Sequence, residues 1–367
     1  MKRYRDFFEL VTEVKACRKC RRMDSSARVL NGSSGAVYSD LMFVGEAPGR
    51  RGADETEIPF HGDVAGNNFE GFLDHVGLSR SDIYISNAAL CNPRDDKGNN
   101  STPNKQELSN CSDYLRRQID LVNPKIIVTL GGIALSAISN IERHSLTLRD
   151  HVRTSNSWNG RQLIPLYHPG QRAMIHRSKA NQRADYQFVA EQWRRLDKSR
   201  KKISHRPVQQ DILTLCKHLL SSFGEISYFE LHKLVYLTEY LYVSDNGERL
   251  TRSYFIRQKD GPYCTDLQIS RLKKALPELQ VTKRGGDLFF SISPHQELSL
   301  DNSNMGLDDS IEAAVIRVRN RYSYNSNSDL KKIVYLTAPM RVILRRESRD
   351  RQNLFNAPID FLVGSSV

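Results

Sequence analysis

A chain of 367 residues that is 39% apolar and 26% charged can bury an ordinary core and is not disordered by composition; at about 150 residues per domain, its length points to two domains. Fifty-four lysines and arginines against 42 acids leave a balance of +12, which favours a polyanionic partner, nucleic acid or an acidic membrane surface. Membrane insertion is the weaker option, because no run of about 18 uninterrupted apolar residues exists. The opening MKRYRDFFELV also carries charges where a secretion signal needs its apolar stretch, so the chain is expected to stay in the cytoplasm.

In chain order, Leu41, Met42, Phe43 and Val44 read as a buried strand that breaks into a loop at Gly45, Pro48 and Gly49. A helix follows over about 67–75, with Phe69, Phe72, Leu73 and Val76 on one face. Next come a strand over 83–90, a loop rich in Asn, Asp and Gly, and a helix over 105–122. Pro124 opens a strand over 125–132, whose glycine pair leads into the helix IALSAISNI. The strand QLIPLYHPG and a helix over about 178–196 complete the unit. Strand and helix alternating in this way predict an α/β domain over 1–196, a three-layer sandwich around a mainly parallel sheet. Ligands bind such sheets beyond the carboxyl ends of the strands, where the loops 45–62, 87–91 and 168–177 are expected to gather.

Residues 194–206, RRLDKSRKKISHR, are basic and nearly free of apolar side chains. The plain interpretation is a solvated linker, set at 197–206; the other is an arm that grips phosphates. From 207 to 367 the pattern becomes mostly helical, with helices at 208–223, 228–243 and 328–344 and a Gly261-Pro262 turn. No catalytic cluster stands out there, which suggests a binding or regulatory domain.

Six cysteines are too few and too uneven for a disulfide framework in a chain this long. Cys17-x-x-Cys20 lies in a basic segment, Cys91 follows a strand and Cys111 lies in the next helix. Two ligands from a tight turn and two from distant points can close a tetrahedral thiolate site, which suits a zinc ion or an iron–sulfur cluster equally by spacing. Four free buried cysteines is the plainer but poorer explanation of that pattern.

The run Gly45-Glu46-Ala47-Pro48-Gly49, then Pro59-Phe60 and Gly62-Asp63-Val64-Ala65-Gly66, resembles the first motif of the uracil-DNA glycosylase superfamily, in particular its iron–sulfur (family 4) branch. Asn87 before Cys91, and Tyr167-His168-Pro169, resemble its middle and last motifs, and the likeness runs through about 5–196 in one consistent order. The resemblance implies a four-iron four-sulfur cluster on Cys17, Cys20, Cys91 and Cys111, preferred over zinc. It further implies a flipped nucleotide, whose glycosidic bond breaks as the sugar becomes cationic and the leaving base anionic.

In those terms His168 is the donor to the leaving base. Asp54 is the first choice for the carboxylate that orients water or steadies the cationic sugar, with Glu55 and Glu46 behind it, since this chain has one residue more than the family between Gly49 and Pro59. Phe60 stacks on the base, Asn87 reads its edge, and backbone amides near Ala47 and Gly49 supply further donors. Arg172 and Met174 are expected to wedge the groove, and Arg177 and Lys179 to anchor phosphates. No lysine falls in a motif position for Schiff-base chemistry, so base removal without strand cleavage is expected.

An amide can pair with the edge of uracil or of cytosine, so Asn87 does not choose the base. The longer loops would widen the pocket. The second half resembles the Panacea (SocA-like) antitoxin-associated domain through HKLVYLTEYLYV and Gly261-Pro262-Tyr263. That fusion favours excision of a bulky modified cytosine, such as glucosylated hydroxymethylcytosine, from phage DNA as antiviral defence, with a protein partner for the second domain. Repair of uracil or another deaminated base in double- or single-stranded DNA is the alternative, and a non-enzymatic, metal-stabilised DNA-binding adaptor is the third.

Overall fold

The computed structural model describes residues 2–196, 208–251, 253–267, 269, 272–273, 276–292, 305–350 and 354–361. The chain forms two compact units, Met1–Pro207 and Val208–Val367. The basic linker expected at 197–206 lies outside the described residues.

The first unit is built on four parallel strands, β1 (Leu41–Gly45), β2 (Ile83–Asn87), β3 (Ile126–Leu130) and β5 (Arg161–Leu166), with β4 (Asn156–Trp158) antiparallel at one edge, in the order β2-β1-β3-β5-β4. Successive side chains point to opposite faces, so each strand feeds two layers. Met42, Val44, Tyr84, Ile127 and Leu163 face one side and meet Phe7, Leu10 and Val14 of α1 (Lys2–Ala16). Leu115 and Ile119 of α4 (Lys105–Val122) and Leu135 and Ile138 of α5 (Gly132–Ser139) complete that layer. Leu41, Phe43, Ile85, Val128 and Ile164 face the other, against Phe69, Phe72 and Leu73 of α3 (Val64–His75) and Tyr186, Val189 and Trp193 of α7 (Lys179–Arg195). These are the three layers that strand–helix alternation predicts.

The unit also contains elements absent from the sequence expectation. Helix α1 precedes the first strand, and one-turn helices α2 (Ala53–Thr56) and α6 (Leu148–His151) interrupt loops. β4 joins β5 through Asn159 and Gly160, both at positive φ (44° and 69°), the conformation a tight two-residue hairpin requires.

The second unit is mostly helical: α8 (Val208–Phe223), α9 (Tyr228–Asn246), α10 (Met305–Arg321), α11 (Asn327–Tyr335) and α12 (Ala338–Asp350). α8 and α10 pack on α9, which is buried on all sides and includes the buried Glu239. Its carboxylate accepts from the backbone amides of Leu250 and Thr251 and pairs with Arg249. Short strands accompany the helices: β6 (Ile226–Ser227) with β9 (Leu279–Arg284) and β10 (Asp287–Ile292), and the hairpin β7 (Phe255–Gln258) with β8 (Gly261–Cys264). The single helix expected over 328–344 is two, parted at Leu336 and Thr337. Pro339 has no N–H to offer the Tyr335 carbonyl and its ring would strike that turn, so it sits in the first turn of a new helix instead. Among the described residues, no helix is long and apolar enough to cross a membrane.

Candidate active site

The carboxyl ends of β1, β2 and β5 deliver Glu46, Asn87 and His168 to one cavity of about 230 Å³. At about 30 Å³ per water, that is room for roughly seven waters. Ala47, Gly49, Phe60 and Asp63 line it too, as do Asn92, Pro93, Asn100 and Ser101 from the loop after Cys91.

His168 leaves the sheet one residue after Tyr167, and its Nδ1 accepts a hydrogen bond from the Gly170 backbone N–H at 3.0 Å. That bond places the proton of the neutral ring on Nε2, making it a donor. A side chain on Gly170 would press on Nδ1 at 2.8 Å, so glycine is needed there. Burial holds the His168 pKa below the usual histidine value, while the Asp63 charge pulls the other way. The ring is therefore neutral at neutral pH.

Asn87, paired with Gly45 across the β1–β2 ladder, is 2% exposed, and among the described residues no hydrogen bond engages its amide. A Cβ on Gly45 would collide with Asn87 Oδ1 and with the Phe60 ring, so the first glycine of the motif is a clearance for both. Phe60 has a left-handed backbone (φ 50°), which costs a non-glycine residue about 1–2 kcal/mol. Buried Arg80 holds it, donating to the carbonyls of Pro59 (2.8 Å) and Phe60 (2.9 Å) and pairing with Glu70. The Phe60 ring then lies between Phe69 (4.8 Å) and His168 (5.7 Å).

Asp54 and Glu55 are not brought to the cavity. Both lie in α2, a single helical turn ending on Glu57 in the left-handed region (φ 55°). Asp54 is turned away: its carboxylate accepts from the Ala27 amide (2.9 Å) and pairs with Arg94 (2.5 Å), and its side chain is 4% exposed. Glu55 faces solvent. The carboxylates in the cavity are Glu46 and Asp63. Burial raises the Glu46 pKa, opposed by a hydrogen bond with the Thr102 side chain. Asp63, missed as a site residue, caps α3 through the Gly66 amide (2.8 Å). Its sequence signal was its position, an N-cap acid three residues after the stacking phenylalanine.

The loop after Cys91 forms one wall. Asn92 donates to the Pro48 carbonyl (2.6 Å) and to Asn100 Oδ1 (2.9 Å), which also accepts from the Arg50 amide (2.9 Å). Arg94 reaches Asn92 Oδ1 at 3.1 Å while pairing with Asp54. Asp54 is thus a fastening for this wall.

Beyond His168, the chain makes a short 3-10 turn over Gln171–Ile175. Arg172 and Lys179 are exposed. Met174 packs on the core instead, and Arg177 is committed to buried Asp185 (2.9 and 2.5 Å). Ile175, which sequence inspection passed over, is 83% exposed.

The four cysteines meet on the far side of the same loop. Cys17 follows α1, Cys20 precedes a short turn, Cys91 follows β2 and Cys111 lies in α4. The Cys91 thiol is pushed up to about 12, first by burial and then by neighbouring Cys111, Cys17 and Cys20, against Arg28. Cys111 rises to about 11 for the same leading reason. Asn110 donates to Cys20 Sγ at 3.3 Å. Among the described residues, no group of three or more His, Cys, Asp or Glu is placed as a ready-made metal site. The four thiols lie near enough to influence one another electrostatically, and a donor set of four thiols suits either zinc or an iron–sulfur cluster.

One cavity at the rim of the parallel sheet thus gathers an aromatic ring, an unengaged amide, a neutral imidazole and two carboxylates. Residues 33–197 match the uracil DNA glycosylase superfamily. The type-4 uracil-DNA glycosylase of Archaeoglobus fulgidus is 32% identical over 185 residues, covering 49% of this chain and 88% of that protein. That of Thermotoga maritima is 34% identical over 180 residues, covering 48% and 87%. A type-5 uracil-DNA glycosylase of Pyrobaculum aerophilum is 30% identical over 148 residues, covering 37% and 63%. The chain belongs to the uracil-DNA glycosylase superfamily, and it is a DNA glycosylase, a hydrolase of N-glycosyl bonds.

Proposed function

We propose that the enzyme removes uracil or another deaminated pyrimidine from DNA in the cytoplasm, leaving an abasic site. The observation that carries this reading is the convergence of the unengaged Asn87 amide, the Phe60 ring and the Nε2–H of His168 on one cavity. An extruded base stacks on Phe60 while Asn87 pairs with its edge. As the bond lengthens, negative charge gathers on the base, and the His168 Nε2–H stabilises it without a full proton transfer. Asp63, with Glu46 beside it, stabilises the cationic sugar and orients the attacking water. No lysine lines the cavity among the described residues, which supports hydrolysis without strand cleavage.

Cys17, Cys20, Cys91 and Cys111 would hold a four-iron four-sulfur cluster. When bound, it supplies a structural clamp, because glycosidic hydrolysis moves no electrons. Brown protein with iron and acid-labile sulfide is expected, and zinc alone would overturn the assignment. The accessory unit at 207–367, after the linker at 197–206, we read as a site for a protein partner, in line with its Panacea-like segment. A second reading, excision of a bulky modified cytosine of phage DNA, draws on the cavity wall formed by the longer loop after Cys91.

Single- and double-stranded oligonucleotides bearing uracil, hypoxanthine or glucosylated hydroxymethylcytosine decide among these, read by mass spectrometry of released bases. His168→Ala is expected to lower turnover about 10²–10³-fold, the usual cost of one such donor, with DNA affinity retained. Binding without any released base would favour the adaptor.

A further inference from the structure

Helix α12 carries Arg341, Arg345, Arg346 and Arg349 and no lysine. Met340 and Ile343 form its buried side, and Glu347 turns inward to Arg257 at 3.0 Å. Arg341, Arg345 and Arg349 recur at every fourth position and are exposed. With a rise of about 1.5 Å per residue, they form a row about 12 Å long. One strand of duplex DNA offers three or four phosphates over that length, at about 3.4 Å each.

Several other cations of this unit are engaged by acids: Arg317 by Asp245 (2.8 Å), Lys331 by Asp260 (2.7 Å) and Arg249 by Glu239. Neither Arg341 nor Arg345 bonds an acid among the described residues. Between positions 317 and 351 there are ten lysines and arginines against three acids. Like charges one turn apart weaken a helix, and solubility alone is better served by mixed signs. Arginine throughout, with its planar fork for phosphate oxygens, is the choice a phosphate backbone rewards.

We propose that this face of α12 is a sequence-independent clamp for the DNA backbone, a second contact supplied by the accessory unit. The proposal rests on the chain being a DNA glycosylase but not on which base it excises. The test uses the full-length protein and a short uracil-free duplex, with binding followed by fluorescence anisotropy across a salt series. The double variant Arg341→Gln/Arg345→Gln should weaken binding at low salt and reduce the slope of log K against log salt by about 2, with an unchanged melting temperature. The exposed pair Arg143→Gln/Arg149→Gln in the first unit, which removes the same net charge, should leave the slope near wild type. An unchanged slope in the α12 variant, or an equal loss in the control pair, would overturn the clamp. Failure of the uracil-bearing oligonucleotides to release a base would count against the excision reading alone, since this binding probe contains no substrate base and its salt slope does not depend on turnover.

Discussion

Two aspartates nine residues apart exchange roles between sequence and structure. Asp54 sits in the longer segment after Gly49 and invites assignment as the catalytic carboxylate, yet its oxygens are bonded to Ala27 and Arg94. Asp63 lines the cavity and acts on His168. Spacing could not separate them, because the loop after Gly49 contains a one-turn helix that turns Asp54 toward Ala27 and Arg94. Asp63→Asn keeps a side chain able to cap α3 but removes the charge. Turnover should fall at least tenfold while the melting temperature barely changes. Asp54→Ala should instead lower stability by about 1 kcal/mol, by leaving the half-buried Ala27 amide and Arg94 guanidinium without their acceptor; if it kept stability and abolished turnover, the roles would have to be reversed. His168 adds a pH signature. Its folded pKa is depressed, so the native state binds fewer protons there than the unfolded chain. The associated stability is complete above about pH 6.5 and declines as pH falls toward the folded value. Turnover should decline in the same acid direction, since a proton on Nδ1 repels the Gly170 N–H. An acid limb unchanged in His168→Gln would remove that attribution.

At the scale of elements, the first unit was readable where burial imposes a strong period. The helix expected over 105–122 is found there without shift, between an Asn104–Glu107 capping box and Asn123 in the left-handed region. Fully buried strands announced themselves as aliphatic runs, with ends one to three residues off where the loops begin. Short pieces were harder. β4 has three residues, too few for alternation, although Asn159-Gly160 is a hairpin signal. Gly285-Gly286, both at positive φ, likewise marks the β9–β10 turn in the second unit, where helical texture drew attention away from strands. The turn over Gln171–Ile175 shows a different limit: a motif indicates that a loop approaches DNA, but only packing tells which side chain protrudes. Met174 turns in and Ile175 turns out. Ile175→Ala is expected to slow excision from duplexes more than from single strands, because a wedge matters only where a base must leave its stack; equal effects on both would exclude a wedge.

On the scale of the whole molecule, length and a change of texture near 207 were enough to anticipate two units, and each contains its own buried core. What the second unit does was not legible, because no catalytic cluster stands out in its helical pattern. Some of its buried polar groups, Glu239 and Lys233 among them, bond its own backbone. A fragment comprising 1–207 should fold and release the base from a short single strand at a rate near that of the full chain, measured under single-turnover conditions. A fragment that folds but is inert would place part of the catalytic apparatus in the second unit.

The wall formed by Asn92, Arg94 and Asn100 is fastened by its own hydrogen bonds to Pro48, Arg50 and Asp54. Little disorder is left for a ligand to remove, so the receptacle is a mould and not a closing hand. The liberated base, small as it is, should therefore linger and compete with fresh substrate, and product inhibition becomes a built-in consequence of that rigidity.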